Sequence, residues 1–408
     1  MTGRAASLRR WRCVALGLAV YGVVRLVPGS GALTSSGTTG SALRLAVPIL
    51  LAGLGGLWSE RAGVVNIGLE GMMVLGSWFG AWGTIHHGVA WGLLLAMVGG
   101  AAGAAVHAAA AVLFRVDQII SGVAVNLLAA GTVRVLSSLA YEGKPGGGLT
   151  QSPRVPGGVA HFTAPVLSGG PLFGRHSPDV LGWVERRRLF PVSDVAGVLR
   201  GLTTGVSALT IVAIALVPLT AWLLQRTRVG LRLRAVGEHR PAARSVGLGV
   251  ARMQVAAVLV SGALAGLGGA YLVLEGAGLY REGQVGGRGF IGLAAVVFGN
   301  WRPAGVAFGA GLFGYADALV LRETRALRAL LLLAALGLAV LAARAGARRR
   351  LRGLAWAVAA VGFLVWFAQG SAVPPQLVFF TPHVVTLVVL AGTSRQADPR
   401  APASWAPI

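Results

Sequence analysis

Apolar residues in this chain are gathered into long blocks separated by short polar connections, not spread at a helical or strand period. Blocks at 13–27, 42–57, 67–85, 89–114, 119–141, 206–224, 253–274, 304–321, 327–343, 354–367 and 377–391 approach or reach the roughly 20 residues a helix needs to cross a bilayer. One further block, 290–300, corresponds to roughly 16 Å of helix, half the hydrocarbon thickness. It predicts a half-helix or re-entrant segment packed within the protein. In lipid only helices and closed barrels satisfy their own backbone, and blocks this long exclude a barrel. The pattern therefore predicts an all-α, polytopic integral membrane protein. Residues 1–408 form a single membrane-spanning domain with about 10–12 transmembrane helices, the short one included. The segment 9–27 has the charge and length of a signal peptide but lacks a small-residue cleavage site, so it reads as a retained signal-anchor helix.

Composition agrees with this pattern and limits the function. The chain is 55% hydrophobic and 12% charged, with a mean hydropathy of +0.72; a soluble domain carries roughly twice that charged fraction. A net charge of +23 raises nucleic-acid binding, but the arginines lie between apolar blocks and form no single basic face, so no nucleic-acid partner is expected. With the N-terminus inside, the short inside stretches hold 21 arginines and the short outside loops 6. That asymmetry predicts both termini in the cytoplasm, in a bacterial inner membrane. It also makes 142–205 a polar extracytoplasmic loop with one surface helix around 178–188, and 225–252 a basic cytoplasmic loop. Cys13 is the single cysteine, which excludes an internal disulfide and a cysteine-based metal cluster. His86 and His87 have no third ligand at metal spacing, so no metal, cofactor or catalytic residue is expected.

Two stretches carry chemistry. A charged turn runs into an apolar helix at Glu60-Arg61-Ala62-Gly63-Val64-Val65-Asn66-Ile67-Gly68-Leu69-Glu70-Gly71, with Asn66 and Glu70 on one helical face. A carboxylate in a span costs a few kcal/mol unless it faces a cavity or a polar partner. Glu70 thus either borders a solute path or caps a neighbouring helix. Asn126 and Asn300 pose the same choice between pathway and interhelical hydrogen bond. The second stretch contains Arg234, Gly237, Glu238, Ala242, Ala243 and Gly247. Pro241 can start a short helix and Gly247 can end it, which suits a knob for docking a cytosolic partner; a solvated loop is the plain alternative. Small-xxx-small spacings such as Gly262-x-x-x-Gly266 allow close helix crossing.

The Glu60–Gly71 wording resembles the opening signature of the ribose-type ABC importer permeases, nucleoside and simple-sugar branch. Arg234-Ala235-Val236-Gly237-Glu238 with Ala242-Ala243 and Gly247 is similar to that family's coupling loop. Ser261-Gly262-Ala263-Leu264-Ala265-Gly266, Gly289-Phe290-Ile291-Gly292-Leu293 and Pro382-His383-Val384-Val385 are similar to its later segments. The resemblance implies a type II importer-like permease that moves nucleosides or simple sugars. It implies three partners besides membrane lipid: a cytosolic ABC ATPase subunit on 225–252, a second permease subunit, and an extracytoplasmic solute-binding lipoprotein. Neutral polar groups suit the hydroxyls and amides of such a solute, so its path is expected along a polar strip of Asn66, Glu70, Asn126 and Asn300. The chain lacks a Gly-x-x-x-x-Gly-Lys-Ser/Thr phosphate loop, so it is not itself the ATPase. It departs from the family at 324–370, where an extra helical hairpin is expected. The alternative is an ion-coupled secondary transporter, with Glu70 and Asp317 as its few intramembrane carboxylates.

Overall fold

The computed structural model describes residues 17, 19–172, 175–322, 326–344 and 350–369. The expected spans at 13–27, up to its last helical turns at 19–24, and at 377–391 lie outside these residues, as do Cys13 and the 382–387 motif. The regular elements among the described residues are helices, apart from two-residue strands in the connections. Residues 43–161 and 206–314 form one compact unit; those up to 42, 162–205 and 315–369 form a second.

Helix α1 spans Ser36–Arg61, α2 Leu69–His87, α3 Val89–Ala108 and α4 Gln118–Tyr141. Each overlaps an expected block, but α1 starts six residues earlier and runs on through the polar Ser59-Glu60-Arg61. Helix α2 starts two residues later, so Asn66 does not share the expected helical face with Glu70. The Asp117 side chain begins α4 by accepting from the amides of Ile119 and Ile120, the ordinary way an N-cap fills orphan donors. Helix α3 ends in a π turn, Ala109–Leu113, and the later helix Val250–Tyr271 ends in another, Leu272–Ala277.

Within 142–205 the structure has α5 (Val180–Arg186), the surface helix that was expected. It also has α6 (Val192–Thr203), which was not. Helix α6 turns small and polar residues inward (Ser193, Asp194, Ala196, Gly197, Gly201) and leaves Val192, Val195, Leu199 and Leu202 exposed. A connection read as polar thus carries an outward apolar face. After it come α7 (Ala208–Arg226), α8 (Arg228–Glu238), α9 (Arg240–Ser245), α10 (Val250–Tyr271), the short α11 (Arg288–Phe298), α12 (Pro303–Arg322), α13 (Ala326–Arg344) and α14 (Arg350–Ala368). Helices α13 and α14, the described helices within 324–370, pack on each other.

In the first unit α1 and α10 are central, each with 72% of its most apolar stretch buried, whereas α4 and α7 bury 28% and turn their apolar faces out. A helix apolar all round but this exposed belongs in lipid. Helices α2, α3 and α10 meet at glycines: a methyl carbon built on Gly76 would lie 2.2 Å from Gly266 Cα, and one on Gly266 would lie 2.2 Å from the Ala96 carbonyl oxygen. Backbones this close pack by dispersion over a long seam, which is how small residues join helices in lipid. Gly131, on the outward side of α4, has open space around it. Gly266→Leu is therefore expected to abolish the monodisperse detergent-solubilised protein, while Gly131→Leu leaves its yield and melting temperature unchanged. Equal behaviour of the two in size-exclusion chromatography would contradict the seam.

Candidate functional site

Between Arg61, which ends α1, and Leu69, which starts α2, the chain is not helical. Gly63 turns it at φ +77, a conformation glycine takes without strain. The stretch then runs back into the protein. Asn66 Nδ2 donates to Ser261 Oγ at 2.9 Å, and Ser261 stands eleven residues beyond the first residue of α10, about 16 Å along the helix. Irregular backbone thus lies halfway along a span. At that depth it persists only where protein or a water-filled cavity satisfies it.

Side chains from all around supply that satisfaction. The Ser59 hydroxyl donates to the Val64 carbonyl at 2.7 Å and Gln254 Nε2 to the Ala62 carbonyl at 3.0 Å. The Val65 amide donates to Gln118 Oε1 at 2.8 Å. His107 Nε2 donates to the Val65 carbonyl at 3.1 Å, which leaves Nδ1 to accept from the Ser121 hydroxyl at 3.0 Å. Asn126 straddles the restart of the helix, donating to the Ile67 carbonyl at 3.1 Å and accepting from the Gly71 amide at 2.7 Å. Asn66 is fully buried and accepts from the Gly68 amide at 3.1 Å.

The same segment holds both ends of the short helix α11. Glu70, in the first turn of α2, accepts from the amides of Gly287 and Gly289, each at 2.8 Å. This is the capping arrangement for Glu70, an anion at the positive end of a helix dipole. At the far end Glu60 accepts from the Trp301 indole, and Arg61 donates to the Trp301 carbonyl. Asn300 and Trp301 both adopt left-handed backbone, at φ 51 and 49. Non-glycine residues hold that conformation where their surroundings fix it. Asn300 therefore sits in the α11–α12 turn, apart from Asn66, Glu70 and Asn126.

The loop at 225–252 comes to the same place. Helices α8 and α9 are separated by His239, whose ring accepts from the Ala242 amide; Pro241 lies in the first turn of α9, and Gly247, at φ +80, follows its end. A methyl carbon on Gly237 would lie 2.3 Å from the Arg61 carbonyl oxygen. The Arg240 guanidinium donates to the Gly63 carbonyl, and burial lowers its pKa from the ordinary arginine value. Ala243 is buried against Val236 and Val250. Val229, Leu231, Glu238, Ala242 and Val246 are exposed, and Arg234 is half-buried.

Sequence reasoning missed Gln118, His107, Gln254, Arg240 and Trp301. Gln118, His107, Gln254 and Trp301 are single polar or amphipathic groups in or beside apolar blocks, Arg240 is one of several arginines in a basic loop, and only the fold reveals their partners. Among the described residues no three His, Cys, Asp or Glu side chains lie together as a metal site. Asn126→Leu strands a carbonyl and an amide at once, each costing about 1–3 kcal/mol. The variant is expected to melt several degrees below wild type in detergent, and an unchanged melting temperature would contradict the assignment.

Known proteins are similar to this chain in sequence. The family described as branched-chain amino acid transport system / permease component matches residues 38–341. The guanosine ABC transporter permease protein NupQ of Bacillus subtilis is 37% identical over 281 residues, 67% of this chain and 78% of the relative. The putative glucose ABC transporter permease protein TsgC13 of Haloferax volcanii is 34% identical over 71% of this chain and 78% of its own length. The nucleoside ABC transporter permease protein NupC of Lactococcus lactis is 32% identical over 65% and 76%. No solved structure matches. A match across three quarters of the sequence, on a chain of apolar helices long enough to cross a membrane, means that this protein is a multi-pass membrane protein belonging to the branched-chain amino acid transport system permease family.

Proposed function

We propose that this chain is the permease of an ATP-driven importer for nucleosides, with simple sugars the next class. The observation that carries the proposal is the meeting of the 225–252 loop with the unwound segment: Gly237 against the Arg61 carbonyl and Arg240 on the Gly63 carbonyl. A push on α8 and α9 reaches the broken helix through main-chain contacts, with no flexible side chain between Gly237 and Arg61. A separate cytosolic ATPase docks on the exposed residues of that loop, and Arg234, Gly237, Glu238, Ala242, Ala243 and Gly247 form the coupling element. A second permease subunit and an extracytoplasmic binding lipoprotein complete the machine. The solute class is supported by the relatives, two of which carry guanosine or nucleoside in their names and one glucose.

The solute passes beside the broken helix along Asn66, Glu70 and Asn126, with Asn300 farther along the path at the opposite end of α11. Broken helices are where transporters place solute sites, because the break brings backbone groups to mid-membrane. Ion coupling is the weaker reading: both oxygens of Glu70 are occupied in capping α11, and the family is one of transport-system permease components.

Proteoliposomes holding this chain with its ATPase and binding protein should accumulate labelled guanosine only with ATP inside the ATPase-facing compartment. Gly237→Ala should lower that uptake on the order of tenfold or more, as small displacements of a mechanical or catalytic contact do. Asn300→Gly, which keeps the left-handed turn but removes the amide side chain, should lower it with little change in melting temperature. ATP-independent uptake, or full uptake by Gly237→Ala, would sink the coupling assignment.

Topology is tested separately, in a Cys13→Ser background. An impermeant thiol reagent applied to intact cells should label Gly158→Cys, which is exposed with open space around it, and spare the exposed Ser245→Cys. The opposite pattern would reverse the proposed orientation, with its cytoplasmic termini and external 142–205 loop.

A further inference from the structure

The second unit contains a cavity of about 990 Å³ between the 3₁₀ turn Ser30–Thr34, the residues preceding it, and the facing ends of α5 and α6. Its wall is charged with both signs, and most of those charges are used up. Arg200 donates to Glu185 at 3.1 Å and to Asp179 at 2.7 Å. Asp194 Oδ1 forms an ion pair with Arg25 Nε at 3.3 Å and accepts hydrogen bonds from the Tyr21 hydroxyl at 3.2 Å and from the Thr34 hydroxyl.

Two kinds of group remain. Asp194 Oδ2 and Ser193 Oγ are buried without a hydrogen-bond partner, on residues only 6% and 5% exposed that line the cavity. A buried carboxylate oxygen without a donor is costly, so the site calls for a hydroxyl or N–H. Arg186 and Arg188 also line the cavity, are exposed, and pair with no carboxylate among the described residues. They call for an anion. A metal ion or simple amine would answer Asp194 alone, but Arg25 already neutralises that carboxylate and the two free arginines repel a cation. An anion that carries hydroxyls answers both demands.

The rim narrows the source. Leu26 and Phe190, which line the cavity, are exposed, as are Leu189 and Val192 beside them. The outward face of α6 continues the apolar surface through Val195, Leu199 and Leu202. A helix with a polar inner side and an apolar outer side, in a membrane protein, lies where acyl chains can cover it.

We propose that this cavity binds a phosphate ester bearing free hydroxyl groups, with the phosphate on Arg186 and Arg188 and a hydroxyl donated to Asp194 Oδ2. The apolar rim fits such a group as the headgroup of a lipid, phosphatidylglycerol being the simplest probe. The site is independent of the solute the permease moves.

The test uses the purified full-length permease, delipidated and then titrated, with retained lipid counted by native mass spectrometry. Phosphatidylglycerol should be retained at least about tenfold better than phosphatidylcholine. The Arg186→Gln/Arg188→Gln double variant, which alters exposed side chains only, should lose that preference. Asp194→Asn should erase discrimination between phosphatidylglycerol and phosphatidic acid, which lacks the glycerol hydroxyls; being a ratio, this readout survives partial destabilisation. In a parallel arm, soluble glycerol 1-phosphate raising the melting temperature of wild type but not of the double variant, without lipid retention, would identify the free ester as the source. If neither probe binds, or both bind the double variant as well as wild type, the proposal is wrong.

Discussion

A backbone that leaves helical geometry inside a bilayer must find a partner for its amides and carbonyls, because lipid offers none. The 62–68 segment of this protein is under that constraint, and much of the first unit is arranged around meeting it. Gln118 and Asn126 come from α4, His107 from α3, and Gln254 and Ser261 from α10, with Ser59 at the end of α1. Each of these polar groups would itself be costly in lipid, and each is placed where it offsets the cost of an unpaired peptide group. Three neighbouring helices are thereby tied to one break. The close glycine seam of α2, α3 and α10 brings their polar residues within reach of it.

The break is also where separate elements are held together. Arg61 contributes its carbonyl to the contact with Gly237 and its guanidinium to the Trp301 carbonyl. Glu60 takes the Trp301 indole, and Glu70 caps the opposite end of α11. The short helix is therefore clamped at both ends by residues of one signature ten positions apart. A displacement of α8 and α9 that moves Arg61 also moves the end of α11. A continuous α1–α2 helix could not make these contacts, because the carbonyls that Arg240 and Gln254 use would be spent within the helix.

Much of this fold was legible in the sequence because lipid imposes a length and a composition on each span. The described spans fall within a few residues of the apolar blocks, and α11 (Arg288–Phe298) appears where the short block predicted a half-helix. The signature residues were legible as chemistry but not as geometry. Glu70 left pathway and cap open, and the amides of Gly287 and Gly289 are distant in sequence. His107, Gln118 and Gln254 escaped notice because one polar residue in an apolar block has no periodicity, and its partner is a peptide group that any sequence provides. Helix α6 escaped for a different reason. Its apolar residues point outward and its small residues inward, the reverse of the pattern that marks a soluble surface helix.

The central claim is that the irregular 62–68 segment is a fixed part of the membrane core, held by side chains of the surrounding helices. Amide hydrogen exchange of that segment in the solubilised permease tests it most directly. The account predicts protection comparable with the flanking helices, lost locally when Gln118 or Asn126 is changed to alanine. Exchange as fast as that of an exposed loop in the unaltered protein would contradict it.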